Sequence, residues 1–276
     1  MNKKQVLVII GILIILGFLY FNNRGKNPYE FKGNTLSYSS ERGKLDYNNI
    51  LIEENKTFNL YKVDFNTRQL ADENIRVYEL LFLPKEETNL PGVIFLPGGG
   101  GTKESRREIG ELIASWDYAV LIIDQRGLGE TKGQFLDFNN DYEIFKQGKE
   151  PMQHLAVYDI LRSFDFLSKI KNIDKNNIAV AGESMGGRYG IIATAIDKRI
   201  KGIVAISSSG FNVEINPLIQ GNDYMVSIDP DHYIDKISPR KLFMIHCKED
   251  NVVPISDAEK TFAIAKEPKK FKVFEN

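Results

Sequence analysis

The chain has a single cysteine, Cys247, among 276 residues, so no internal disulfide can form and no metal site can be built on cysteine. Histidine is nearly as scarce. His154, His232 and His246 lie far apart and show no spacing typical of a metal cluster. Excess charge of either sign is also missing: 36 Lys+Arg stand against 37 Asp+Glu, which leaves no basic field for nucleic acid. There is no internal repeat and no low-complexity tract. What is present is an ordinary globular share of hydrophobic residues, 42%, enough for a sizeable core. The length suits one large domain, or one domain with an appendage.

Long apolar runs are absent except at the start, "MNKKQVLVIIGILIILGFLYFNNRGK". Lys3 and Lys4 precede an uncharged stretch from Gln5 to Asn23. As a helix that stretch spans roughly 28 Å, close to the thickness of a bilayer's hydrocarbon core. A cleaved signal peptide is the rival reading. No small-x-small cleavage site follows, and no cysteine is available for a lipid anchor. The expectation is therefore a signal-anchor over 1–23, in the membrane through residues 6–21. The short lysine-bearing end would stay inside, and the bulk of the chain would be extracytoplasmic at the cell membrane. Residues 24–45 are polar, with Gly, Pro and Asn, and read as a tether.

From about residue 46 the pattern changes to strand-like runs, "NILIEE", "FNLYKVDF" and "IRVYELLFLP". After Pro91 short unbroken apolar runs alternate with helical spacing. The runs are "GVIFLP", "YAVLIID", "IAVAGE", "GIVAIS", "KLFMIH" and "KKFKVFE". Strands buried on both faces read this way. Their alternation with helices predicts an α/β class: a mainly parallel sheet with helices on both faces, over residues 46–276.

Three stretches carry chemistry. "GESMG", Gly182–Gly186, fits G-x-S-x-G between a buried strand and a helix. A serine on so sharp a turn needs neighbours without side chains two positions either way, and the turn lifts its hydroxyl clear of the sheet. This makes Ser184 the candidate nucleophile, with a plain loop as the bland alternative. "FLPGGGGTKES" ends the first buried strand with four glycines. An oxyanion hole needs one N–H from such a loop and one from the residue after the nucleophile, Met185. Gly99 is the preferred loop donor and Gly100 the next. A phosphate loop is the rival, but the G-x-x-x-x-G-K-[ST] spacing is absent. "MIHCKEDNVVP" places Asp250 just beyond a buried strand, where an acid can orient an imidazole. A turn aspartate is the bland reading, and Glu249 is the neighbour that could be confused with it.

Together these pieces resemble the α/β-hydrolase superfamily from about residue 70 onward. Within it the chain is similar to the dienelactone hydrolase, acetyl xylan esterase and prolyl oligopeptidase-like group. The resemblance rests on "LPGGGG", "DQRGLGET", "GESMGG" and "DHYIDKISPRKLFMIHCKEDNVVP". Pro97 stands where that group often has histidine. The resemblance implies Ser184 as nucleophile, Asp250 as triad acid, and the amides of Met185 and Gly99 as oxyanion hole. It implies a small-molecule ester or a peptide as substrate, and neither cofactor nor metal. Asp124 and Arg126 would tie a strand end to neighbouring loops, although Arg126 could also edge the pocket.

The chain order in this fold is Ser, Asp, His. No histidine follows Asp250, so the domain is expected to be truncated before its catalytic-histidine loop. His246 reads as a core residue, His154 as a surface or helix-start residue, and His232 as a residue near the pocket. A non-catalytic binding protein on a hydrolase scaffold is the competing reading. The stretches "GQFLDFNNDYEIFKQGKEP" and "GFNVEINPLIQGNDYMVSIDPDHY" are expected to form a lid and pocket walls, with Phe135, Phe138, Tyr142 and Phe145 as aromatic lining.

Overall fold

Alternating and unbroken apolar runs become the strands of one nine-stranded sheet in the computed structural model, which describes residues 29–32, 35–68, 75–85 and 88–275. In chain order the sheet strands are β3 (Tyr47–Glu54), β4 (Phe58–Asn66), β5 (Arg76–Pro84), β6 (Leu90–Leu96), β7 (Ala119–Ile123), β8 (Ile173–Glu183), β9 (Gly202–Ile206), β10 (Lys241–Cys247) and β11 (Lys269–Phe274). Their spatial order is β11-β10-β9-β8-β6-β7-β5-β4-β3. The six strands from β7 to β11 run parallel, and β5, β4 and β3 continue the sheet antiparallel.

Helices cover both faces. They are α1 (Arg107–Ala114), α2 (Phe138–Lys146), α3 (Met152–Leu167), α4 (Met185–Ile196), α5 (Asn222–Ile228) and α6 (Ile255–Ile264). Strand β7 shows why its run is unbroken. Ala119, Leu121 and Ile123 join the larger core with α3 and α4, while Val120 and Ile122 join the smaller core under α1. A strand covered on both sides has no polar position to spare.

The chain passes from β6 to β7 on one side, then crosses back to β8 on the other. Loops leaving the carboxyl ends of two such strands diverge and leave a crevice. The register pairs Leu96 with Gly182, Glu183 with Ile206, and Ile206 with Ile245. The turns after β6, β8, β9 and β10 therefore open on one edge of the sheet.

The polar segment at 24–45 is not a tether along its whole length. β1 (Tyr29–Lys32) and β2 (Thr35–Tyr38) form an antiparallel hairpin, and Leu36, Tyr38 and Leu45 are buried in the larger core. Arg42 reaches Asp165 at 2.7 Å and Asp197 at 2.9 Å, out of solvent. These partners are more than 100 positions away in sequence, so local composition could not reveal them. The expected anchor, residues 1–23, lies outside the described residues. Among those described, no helix is long and apolar enough to cross a membrane.

Candidate active site

Ser184 stands between β8 and α4 with φ +47° and ψ −115°. A side chain at positive φ is strained, so the fold must over-determine it. The two neighbouring glycines show how. A Cβ on Gly186 would fall 2.5 Å from the carbonyl oxygens of Leu96 and Pro97, and one on Gly182 would fall 2.6 Å from the Gly186 backbone. The Ser184 amide donates to the Ile206 carbonyl at 2.8 Å, and the Ser208 hydroxyl donates to the Ser184 carbonyl at 2.9 Å. Among the described residues the Ser184 hydroxyl has no hydrogen-bond partner of its own.

The glycine loop reaches the elbow at Gly98. A Cβ there would lie 3.6 Å from the Ser184 Cβ. Gly101 N–H closes a turn on the Gly98 carbonyl at 3.0 Å, with Gly100 at φ +78° in the position that demands a left-handed residue. The Gln125 side-chain amide holds the Pro97 carbonyl at 2.6 Å and so pins the base of the loop. The amides of Gly99 and Met185 find no acceptor among the described residues. Gly99 directly follows the residue that touches the elbow, whereas Gly100 lies one step further along the exposed turn.

Asp250 follows β10. Its Oδ1 accepts from the amides of Val252 and Val253, both at 2.9 Å, and its Oδ2 lies 3.7 Å from His246 Nε2. Partial burial works against the charge. The Val253 and Val252 amides, the Ser207 hydroxyl and His246 outweigh it and hold the carboxyl below the usual carboxylate range. Glu249, the neighbour, is exposed.

A cleft of about 480 Å³ opens over Ser184, lined by Phe138, Arg188, Phe211, Val252 and Lys260 among others. Phe138 comes from α2, and Phe211 from the segment before α5. The two stretches expected to wall the pocket thus each supply an aromatic ring. Tyr142 and Phe145 instead pack on Tyr224, and Phe135 is exposed.

A family model described as alpha/beta hydrolase fold matches residues 91–234, more than half of the chain and including the whole elbow. The chain belongs to the alpha/beta hydrolase fold family. The Escherichia coli protein YfhR is 24% identical over 211 residues, which cover 68% of each chain. The acetyl xylan esterase of Paenibacillus sp. R4 superposes with a TM-score of 0.71 at 19% identity, covering 86% of this chain and 84% of that one. Acetyl xylan esterase 1 of Thermoanaerobacterium gives 0.70 at 15% identity, covering 84% and 81%.

Within this hydrolase fold none of the three histidines meets Ser184. His246 is 1% exposed, and its Nε2 donates to the Val253 carbonyl at 2.7 Å, which leaves Nδ1 enclosed without a partner among the described residues. His232 is turned onto the Val213 carbonyl at 2.8 Å and does not line the cleft. His154 stands at the start of α3, as expected, but it is buried rather than on the surface, with Nε2 2.7 Å from the Ser227 hydroxyl. Arg126 is a buried partner of Asp159 at 2.7 Å and stays out of the cleft. Asp124 is fully enclosed; it takes the Lys103 ammonium at 2.6 Å and the Glu130 amide at 2.9 Å, and so ties the strand end to the loops. The residue that sequence reasoning missed is Arg188. Its signal was its spacing, four positions after Ser184 on one helix face.

Proposed function

We propose that the protein is a serine hydrolase that cleaves an ester, or a peptide or amide bond, through an acyl-enzyme on Ser184. The observation that carries this reading is the forced backbone of Ser184, φ +47° at a strand-to-helix turn, opening on a cleft. The hydroxyl oxygen attacks the substrate's carbonyl carbon while its proton passes to a base. The amides of Met185 and Gly99, with Gly100 as the next donor, receive the oxyanion. Collapse of the tetrahedral intermediate expels the alcohol or amine with a proton. Water then releases the acyl group by the same steps in reverse. Asp250 orients and stabilises the base. The acetyl xylan esterases that share the fold support an ester as substrate. These steps need no metal or cofactor.

The base is the open part of the site. β11 runs parallel to β10 with Phe274 beside Cys247, so the chain leaves β11 at the edge that bears Asp250. A histidine-bearing segment joined after Phe274 would start from that same edge. With its three histidines engaged away from Ser184, the 276-residue chain is expected to hydrolyse simple aryl esters slowly. Extension by a relative's histidine-bearing tail should raise turnover by about 10³-fold or more. In the extended chain, Ser184→Ala should abolish fluorophosphonate labelling, and Asp250→Asn should lower kcat by orders of magnitude while the protein stays folded. Ordinary turnover by the unextended chain, lost in His232→Ala or His246→Ala, would place the base upstream instead. The enclosed histidines favour one second reading, a binding protein on this scaffold. It predicts no labelling of Ser184 even in the extended chain.

We also propose that residues 1–23 anchor the protein in the cell membrane with the hydrolase domain extracytoplasmic, because residues 6–21 are long and uncharged. The full chain should sediment with membranes, and a chain lacking residues 1–26 should not. Recovery of the intact full chain in the soluble fraction would refute the anchor.

A further inference from the structure

Among the described residues, arginine side chains are paired almost without exception. Arg42, Arg68, Arg76, Arg106, Arg107, Arg126 and Arg199 each hold a carboxylate, and Arg162 and Arg240 are satisfied by sets of main-chain carbonyls. Arg188 is the exception among the described residues. None of its side-chain nitrogens has an acceptor, and Nη1 is closed off from solvent altogether. Its guanidinium carbon lies over the Phe211 ring, 4.6 Å from the ring centre, and 5.7 Å from the centre of Phe138. Ring contacts give guanidinium N–H groups no acceptor, and Nε and Nη2, unlike Nη1, are not enclosed.

The surrounding anions are already engaged. Asp229, buried nearby, accepts the amides of Phe211 and Asp231 on one oxygen, both at 3.0 Å, and the Val213 amide on the other at 2.9 Å. Asp257, on the cleft wall, pairs with Lys260 at 3.1 Å. Among the described residues, the charged groups lining the cleft are thus a cancelled pair and one unmatched cation, one helical turn from the nucleophile. Burial disfavours the charge on Arg188, and an anion entering the cleft would relieve that.

Resting on the reading of Ser184 as nucleophile, we infer that Arg188 is a specificity-determining residue that holds a carboxylate on the substrate, a few atoms from the scissile carbonyl. A carboxylate matches the Nε–Nη2 edge of the planar fork with two parallel hydrogen bonds. The carboxylate could sit on the acyl part or on the alcohol part, and the two sources give different preferred probes.

Binding to the full-length Ser184→Ala protein, measured by calorimetry, tests the inference without turnover. Monomethyl succinate carries the carboxylate on the acyl side, and methyl levulinate is its neutral counterpart. 4-Acetoxybenzoate carries the carboxylate on the alcohol side, with 4-acetoxyacetophenone as its neutral counterpart. At least one anionic probe should bind tenfold or more tightly than its counterpart. Arg188→Gln should erase that preference, and Arg188→Lys should keep part of it. In a turnover-competent chain the ratio of kcat/KM for the anionic over the neutral ester should fall tenfold or more in Arg188→Gln. Equal binding of both pairs by the parent protein would overturn the inference, even if Arg188→Gln failed to fold. So would a glutamine variant that kept the preference, because the guanidinium would then only pack against the two rings. Failure of fluorophosphonate to label Ser184 would count against the hydrolase reading alone, since the binding arm does not depend on it.

Discussion

Ser184 is where stability and chemistry oppose each other. Its left-handed backbone costs about 1–3 kcal/mol, and the elbow glycines exist to permit it. Ser184→Gly should raise unfolding stability by about 1 kcal/mol in urea titration while abolishing probe labelling. Gly186→Ala should do the opposite. The new methyl would meet two main-chain oxygens at 2.5 Å, atoms that cannot swing aside as a side-chain tip can. A loss of about 2–3 kcal/mol is expected, with labelling lost because β6 and α4 are pushed apart at the turn. A stable, labelled Gly186→Ala protein would show that the elbow is looser than its contacts imply.

At the scale of elements, the segment carrying β1 and β2 behaves as part of the core. The Tyr38 hydroxyl donates to the His154 carbonyl at 2.9 Å, and the Leu36 amide donates to the Tyr233 hydroxyl at 2.8 Å. Arg42 is the clasp, 9% exposed and shared between Asp165 on α3 and Asp197 after α4. Burial pushes the Asp197 carboxyl up, but Arg199 and Arg42 bring it down to about 2. Arg42→Ala would leave that carboxylate with only Arg199 and strip a buried partner from Asp165. A destabilisation of about 3–5 kcal/mol is expected in chemical denaturation. A loss under 1 kcal/mol would mean that the segment is only draped on the domain. The opposite sheet edge is less protected: β11 exposes Val273 and Phe274.

For the whole molecule, His154 couples folding to pH. Burial lowers its pKa from 6.5 to about 3, so the folded protein keeps it neutral while the unfolded chain protonates below about 6.5. Between those values the unfolded state binds more protons, and stability falls as pH falls, by about 1.4 kcal/mol per unit. Glu79 works the other way. Burial raises its pKa well above the ordinary value, so the folded state holds its proton as the unfolded chain loses one. The measurable quantity is therefore a difference. The separation of the urea midpoints, taken as pH 7 minus pH 5 with its sign, should be more positive for the parent than for His154→Gln. Equal separations would mean that His154 takes up its proton without unfolding.

What the sequence determined by itself is whatever depends on near neighbours. Period-two and unbroken apolar runs specify strands, because burial of one or both faces is decided residue by residue along the strand. "GESMG" specifies the elbow for the same reason, since its glycines are needed two positions either side of Ser184. Asp250 was legible from its place just past β10. Only the tertiary structure decided what depends on distant partners. Composition marked residues 24–45 as a tether, yet Arg42 is held by carboxylates more than 100 positions away. His154 does sit at a helix start, but its burial was decided only by the packing of Ser227 and its surroundings over it. Arg188 could be placed on the nucleophile's face from spacing alone. That no carboxylate among the described residues pairs with it is a fact about every other charge around it, and such a fact exists only once the chain has folded.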